Sequence, residues 1–343
     1  MFAKWVASSF LNFLVLGMIA FAGYVLYAKN QYTANGPLVE DAQFEVEKGA
    51  RFRTVADRLE EASIISDATL FRVAARYAGR DRDLKFGRYA VPAGASMDEV
   101  LELITSGRSV SEQVTFPEGF TSFQIVERLN AIEALEGELE TLPVEGSLAP
   151  NTYAYVEGDT RAEILEKMAA AQVRILDDAW AARAPDLPLA SKEEALILAS
   201  IIEKETGVSS EREVVSSVFI NRLRKGMKLQ TDPTVIYGIT EGKSVLGRGL
   251  RRSELLKETP YNTYVIEGLP PTPIANPGEA SILAALNPAE TEFLFFVADG
   301  TGGHVFAKTL AEHNANVRKW REIEAERKKA AEAAAANESQ ESQ

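Results

Sequence analysis

The hydrophobic positions change their rhythm along the chain, and each change marks a different kind of element. From Trp5 to Ala28 there is no charged residue, and Phe, Leu, Val, Ile and Ala dominate. A bilayer-spanning helix needs roughly 20 such residues. A cleavable signal peptide is the competing reading, with Ala20-Phe21-Ala22 as a cleavage-site match. The apolar run continues through Tyr24, Val25, Leu26 and Tyr27, longer than the ~7–15 residues of a signal core. The pattern therefore predicts an uncleaved anchor, with the short N-terminal flank inside and the rest of the chain outside.

After a polar stalk over residues 29–43, a local pattern recurs. Phe44-Glu45-Val46 leads to Gly49 and then to Val55, Arg58 and Leu59. Val114-Thr115-Phe116 leads to Gly119, Ile125, Arg128 and Leu129 at the same offsets, and Tyr89-Ala90-Val91 leads to Gly94, Val100 and Leu101. Each unit reads as a strand, a glycine turn and an amphipathic helix. A further helix over 67–77, capped by Ser66 or Asp67, gives residues 44–108 a βααβ order with an extra helix from Ser96 to Ile104. From Val114 a second segment begins. It has helices at 122–129, from Thr160 to about Arg183, from Ser191, and over 211–225 ending at Gly226. Residues 229–239 mix turn and strand signals, and 261–277 read as an extended Pro-rich loop. Asn276-Pro277-Gly278-Glu279 reads as a helix start with Asn as its cap. FLFFVAD over 293–299 reads as a buried strand, GTGGH over 300–304 as a flexible turn, and a last helix starts near Leu310. Beyond Trp320 the Ala/Glu/Lys and then Asn/Gln/Ser composition predicts a fraying tail.

The helix from Ser191 differs from the others in being apolar all round. Ala195, Leu196, Ile197, Leu198, Ala199, Ile201 and Ile202 cover nearly the whole circumference, which belongs in a protein interior. Two carboxylates share that helix. Glu203 falls between Leu196 and Ala199 on the wheel, and Glu205 falls between Ile201 and Leu198. A carboxyl in such surroundings tends to hold its proton, as does one near the negative end of the helix dipole, with Gly207 read as the C′ stop. A neutral acid beside a cleft is what protonating a glycosidic oxygen requires. Pairing with Arg or Lys is the alternative role, and spacing does not choose between Glu203 and Glu205.

Composition narrows the chemistry. The 343 residues carry a net charge of −13, which argues against a nucleic-acid surface. There is no cysteine, so disulfides, thiolate metal sites and a Cys nucleophile are excluded. With only His304 and His313, a multi-His metal centre is excluded as well, and neither a metal nor a cofactor is expected. GTGGH lacks the Lys and Ser/Thr of a phosphate-binding loop.

Four blocks carry a resemblance: ASIIEKET (199–206), VFINRLRKGMKLQTDPTVIYGI (218–239), TPYNTYVIEGLPPTPIANPG (259–278) and FFVADGTGGHVF (295–306). In this order they resemble the endolytic murein transglycosylases, the YceG-like or MltG-like family. The expected fold class is then α+β: an N-terminal transmembrane helix, a small LysM-like module and a mixed α+β catalytic domain. The expected segments are 1–28 for the cytoplasmic N-terminus and anchor, 29–43 for the stalk, 44–108 for the LysM-like module, 109–325 for the catalytic domain and 326–343 for the tail. The resemblance implies that the first Glu of its block, Glu203, is the catalytic acid. It implies cleavage of the β-1,4 bond between N-acetylmuramic acid and N-acetylglucosamine within peptidoglycan strands. The muramyl C6 hydroxyl attacks C1 and leaves a 1,6-anhydro end, so no water is consumed. One carboxyl then suffices where hydrolytic glycosidases use two. Gln230, Thr231 and Asp232, at a turn before Pro233, and Tyr261, Asn262, Thr263 and Tyr264 are the candidate sugar contacts. Asn221 is carried as a further contact, against the reading of a buried structural amide, and His304 is read as a surface-loop histidine, with a substrate contact as the alternative. The implied partners are peptidoglycan strands, the membrane and peptidoglycan synthases, with no nucleic acid. The implied location is the inner membrane, single-pass, with a periplasmic catalytic domain. A non-catalytic glycan-binding scaffold and a muramidase-type hydrolase are the alternatives.

Overall fold

The computed structural model describes residues 2–107 and 111–341. The boundary expected at 108/109 and the last two residues of the tail lie outside the described residues. Helix α1 runs over Phe2–Thr33. Within it, Phe13–Thr33 is long and apolar enough to cross a membrane or to act as a signal sequence, and none of that window is buried in the protein.

The chain divides into two compact units. The first comprises the chain up to Gln113, with Ala134–Glu136 and Ala154–Asp159. In it, β1 (Ala42–Val46) is followed by α2 (Phe52–Glu61), α3 (Ala68–Tyr77), β2 (Gly87–Val91) and α4 (Met97–Ser106). Strands β1 and β2 pair antiparallel, with Phe44 opposite Tyr89. Alternate residues Phe44 and Val46, and Tyr89 and Val91, turn inward onto Val55, Leu59, Phe71, Val100 and Ile104. Asp67 caps α3 through Leu70 N–H at 2.8 Å, and Ser96 and Glu99 form a capping box on α4. The expected βααβ order with an added helix is what these residues adopt.

The second unit begins at Val114. It contains half of β3 (Glu112–Thr115) and half of β4 (Thr152–Tyr155), together with α5 (Ser122–Asn130) and α6 (Arg161–Ala181). Then come α7 (Lys192–Glu205), α8 (Arg212–Arg224), α9 (Asp232–Thr240), α10 (Arg252–Leu255) and α11 (Glu279–Leu286). The unit closes with the hairpin β5 (Phe295–Ala298) and β6 (His304–Ala307) and with α12 (Leu310–Glu341). The recurrent strand–glycine–helix pattern is real local structure: Gly49, Gly94 and Gly119 all have φ between 69° and 78°, where a side chain is disfavoured. Helix α7 is the hub. Ala195, Leu198, Ala199, Ile201 and Ile202 have no exposed surface, and they pack with Val215 and Phe219 of α8 and Ile282 and Ala285 of α11.

Four expectations change. Residues 232–240 form a helix, with Pro233 in its first turn, where a missing N–H costs nothing. Asn276 does not cap α11, whose N-cap is Gly278. Helix α7 ends at Thr206 in extended backbone (φ −140°), so Gly207 is not a left-handed stop. Helix α12 continues through the Ala/Glu/Lys stretch to Glu341, which the high helix propensity of those residues favours.

Candidate active site

The last turn of α7 sends its two carboxylates to different places. Two residues at 100° each put their side chains about 160° apart around the helix. Glu203 is partly buried, and its Oε2 accepts the N–H of Gly278 at 3.0 Å. Gly119 and Glu118 lie on the same side. A methyl on Gly119 would sit 3.5 Å from the Glu203 side chain, and one on Gly278 would collide with the Glu118 carboxylate. Glu118 is raised above the usual carboxylate range, first by burial and then by the charge of Glu203, with Arg212 opposing. Arg212 reaches Glu118 at 3.5 Å.

Glu205 faces the other way. It keeps some surface on a cavity of about 480 Å³, while its carboxyl group is enclosed by the protein. Burial pushes its pKa up to about 7, and the nearby Asp232 charge adds to this. The Thr231 hydroxyl donates to Glu205 Oε1, and this bond pulls the pKa down, as do the charges of His304 and Arg222. Because Glu205 is the last residue of α7, the negative end of the helix also opposes its ionisation. The cavity brings together Gln230, Asp232, Tyr264, Arg222, Phe295 and His304 around this acid. Tyr264 donates its phenol proton to Asp232 Oδ1 at 2.6 Å, which with burial raises the Tyr264 pKa. Gln230 has φ 50°, and its N–H bonds Thr263 O at 3.1 Å, so the 230–232 turn is fixed from behind.

The predicted sugar contacts therefore separate. Gln230, Asp232 and Tyr264 line the Glu205 cavity, and Thr231 touches Glu205 itself. Thr263 is fully buried and bonds the Thr231 N–H and the Thr234 hydroxyl, so it supports the turn from inside. Asn262 is fully buried as well. Its amide donates to the carbonyls of Glu254, Leu255 and Lys257, and its oxygen accepts Tyr264 N–H. Tyr261 packs on Tyr237 with ring centroids 5.1 Å apart, and its hydroxyl bonds Thr272. Asn221, expected as a sugar contact, uses its amide nitrogen within the fold. It donates to Thr291 O and Phe293 O at 2.9 and 3.1 Å, locking α8 to the segment before β5. Glu203 is not among the residues lining the cavity that Gln230, Asp232 and Tyr264 share.

Among the groups that sequence reasoning missed are two that do not line the Glu205 cavity. Glu145, in an irregular Pro/Gly passage, is raised by burial while accepting bonds from Ser122 and Tyr237. Asn276, fully buried, holds Leu148 N–H on its oxygen and donates to Phe120 O, Ser122 and Glu145. Neither position has a periodicity that reveals it. Among the described residues no cluster of three or more His, Asp or Glu fit to hold a metal occurs.

Helix α7 thus carries one carboxyl, with its pKa raised by burial, to a cavity lined by polar and aromatic side chains. The chain belongs to the YceG-like family, whose model matches residues 44–319. It is 31% identical over 327 residues to the endolytic murein transglycosylase of Bacillus subtilis (strain 168), covering 85% of this chain and 88% of that protein. It is 28% identical over 364 residues to the endolytic murein transglycosylase of Streptococcus pneumoniae serotype 2 (strain D39 / NCTC 7466), covering 90% of this chain and 64% of that one. The crystal structure of the yceG-like protein lmo1499 from Listeria monocytogenes is 30% identical, with a TM-score of 0.49, over 81% of this chain and 99% of that one.

Proposed function

We propose that this protein is a membrane-anchored endolytic peptidoglycan transglycosylase in which Glu205, rather than Glu203, is the acid. The observation that carries the assignment is the Glu205 cavity. The Glu205 carboxyl, raised to about 7 by enclosure, belongs to a residue that lines the same space as Gln230, Asp232 and Tyr264. Relatives named endolytic murein transglycosylase over most of the chain support the substrate class.

The reaction follows from these groups. Glu205 enters protonated and gives its proton to the glycosidic oxygen as the bond from muramyl C1 breaks. A pKa near 7 keeps both a usable proton and a usable leaving tendency at neutral pH. Tyr264 and Asp232, already bonded to each other, and the Gln230 amide offer donors and acceptors to sugar hydroxyls and acetamido groups. The muramyl C6 hydroxyl closes on C1, giving a 1,6-anhydro end. The N-terminal helix holds the catalytic unit at the inner membrane on its periplasmic side, and the βααβ module serves as a LysM-like contact to glycan.

The test is to digest peptidoglycan with the full chain in ¹⁸O-labelled water and to read the new chain ends by mass. Unlabelled 1,6-anhydromuramyl ends are expected, and the rate falls as pH rises through about 7, where Glu205 loses its proton. Label at C1 in most products makes the enzyme a hydrolase, and no new ends at all favours a glycan-binding scaffold.

A further inference from the structure

In the cavity that Glu205 lines, the hairpin β5–β6 presents a second proton-handling group that the one-acid scheme does not use. His304 opens β6 directly after the Gly302-Gly303 turn. Its Nδ1 lies 2.8 Å from Glu211 Oε2, and its backbone N–H donates to Glu211 Oε1 at 2.8 Å. A carboxylate can only accept, so Nδ1 carries the hydrogen, and the neutral form of the ring then has its lone pair on Nε2. Nε2 makes no hydrogen bond among the described residues, and the side chain lines the cavity. Both partners of the pair are 16% exposed, so the bond is shielded yet reachable. Phe296 meets the imidazole edge to face at 5.2 Å and fixes its plane. Gly303 is where a side chain would strike Glu211, so the close approach of hairpin and carboxylate depends on that glycine. Glu205, Arg222, Asp232, Tyr264 and His313 share the cavity with the ring.

We propose that His304, oriented by Glu211, is the base that takes the proton of the muramyl C6 hydroxyl while Glu205 acts as the acid. This rests on the transglycosylase reading above and divides its acid and base work between two residues. The steps balance. The Glu205 proton moves to the leaving oxygen as the C1–O4 bond breaks. The C6 oxygen bonds C1, and its hydrogen moves to Nε2. The resulting imidazolium is stabilised by Glu211, and it returns one proton to Glu205 before the next turnover. Glu211 touches no substrate and is a positioning residue.

The experiment uses the full chain in detergent with glycan strands as substrate. For His304→Ala, kcat is expected to fall about 100-fold, within the range a positioned base supplies, with KM changed less than threefold. Added imidazole should restore about tenfold of that loss, which a structural role would not allow. Glu211→Gln should lower kcat without imidazole rescue, and Glu211→Asp should recover most of it. His304→Gln, which keeps a polar side chain in the hairpin, should lose kcat to the same degree with an unchanged melting temperature. A folded His304→Ala or His304→Gln enzyme with kcat within threefold of the parent overturns the proposal. So does failure of imidazole to restore the folded alanine variant. Glu205→Gln in the same assay separates the two readings. If it is inactive while His304→Ala is fully active, the dyad alone falls. If Glu205→Gln remains active, the acid assignment beneath it falls first.

Discussion

Glu203 and Glu205 occupy the same turn of the same helix, and the contrast between their surroundings carries most of what the fold says about chemistry. On the Glu203 side the neighbours are backbone and charge: the Gly278 N–H, the Glu118–Gly119 turn and Arg212. On the Glu205 side they are a hydroxyl, a phenol–carboxylate pair, Arg222, His304 and aromatic rings around a cavity. The first arrangement holds the α7 end against the start of α11. The second strips water from a carboxyl and leaves it space to meet a ligand. Burial of a helix does not by itself make an acid. What matters is whether the carboxyl's enclosure opens onto something that can receive its proton.

The largest effect that can break this contrast is on turnover. Glu205→Gln keeps the side-chain shape and removes the transferable proton, so cleavage should drop by at least about 100-fold. Glu203→Gln should retain activity within about tenfold, with any loss traceable to the loosened contact at Gly278. The reverse pattern, measured on purified proteins with matching melting curves, returns the acid to Glu203 and makes the Glu205 cavity a binding feature only.

How much of this was legible in the sequence depends on the scale. The strand–glycine–helix units, the Asp67 cap and the all-apolar α7 follow from local pattern, because each is decided within a dozen residues. The choice between the two glutamates does not. It depends on Thr231, Asp232 and Tyr264, which lie 26 to 59 residues further on and meet Glu205 only through the fold. Asn221 and Asn262 show the same limit from the other side. An amide beside aromatic residues looks like a sugar contact until the carbonyls it satisfies are known. Helix α9 was hidden because Thr231-Asp232-Pro233 reads equally as a turn and as a helix start. The family resemblance pointed to Glu203, which does not line the cavity that Glu205 meets.

A second, smaller effect is thermodynamic. In the folded chain Glu205 holds its proton up to about 7, against a reference value of 4.5. Between those values the folded state binds more protons than the unfolded state, so stability falls as pH rises across the window. The full shift corresponds to on the order of 3 kcal/mol. Glu205→Gln removes this penalty. Relative to the parent, the variant should gain stability progressively from pH 5 to pH 8 in urea titrations. A difference between the two proteins that stays flat over that range would mean that the Glu205 carboxyl ionises as readily folded as unfolded.

The smallest effect tests how α7 ends, since that ending aims both carboxylates. If Gly207 were a left-handed C′ residue, Gly207→Ala would cost about 1 kcal/mol. The structure instead turns the chain at Thr206, whose backbone is extended and whose hydroxyl oxygen accepts Val208 N–H at 3.0 Å. Gly207 has no positive φ, and no atom lies within 4 Å of where a methyl would go. Alanine there meets no clash and restricts the unfolded chain, so the substitution should be neutral or stabilising by up to about 1 kcal/mol. Turnover should stay within twofold, because the position of Glu205 is fixed by Thr231 and by the packing of α7 rather than by the residue after its cap. A loss of 1 kcal/mol or more in Gly207→Ala, with activity falling in parallel, would place the stop at Gly207. The direction in which α7 presents Glu205 would then depend on a left-handed residue rather than on the Thr206 turn.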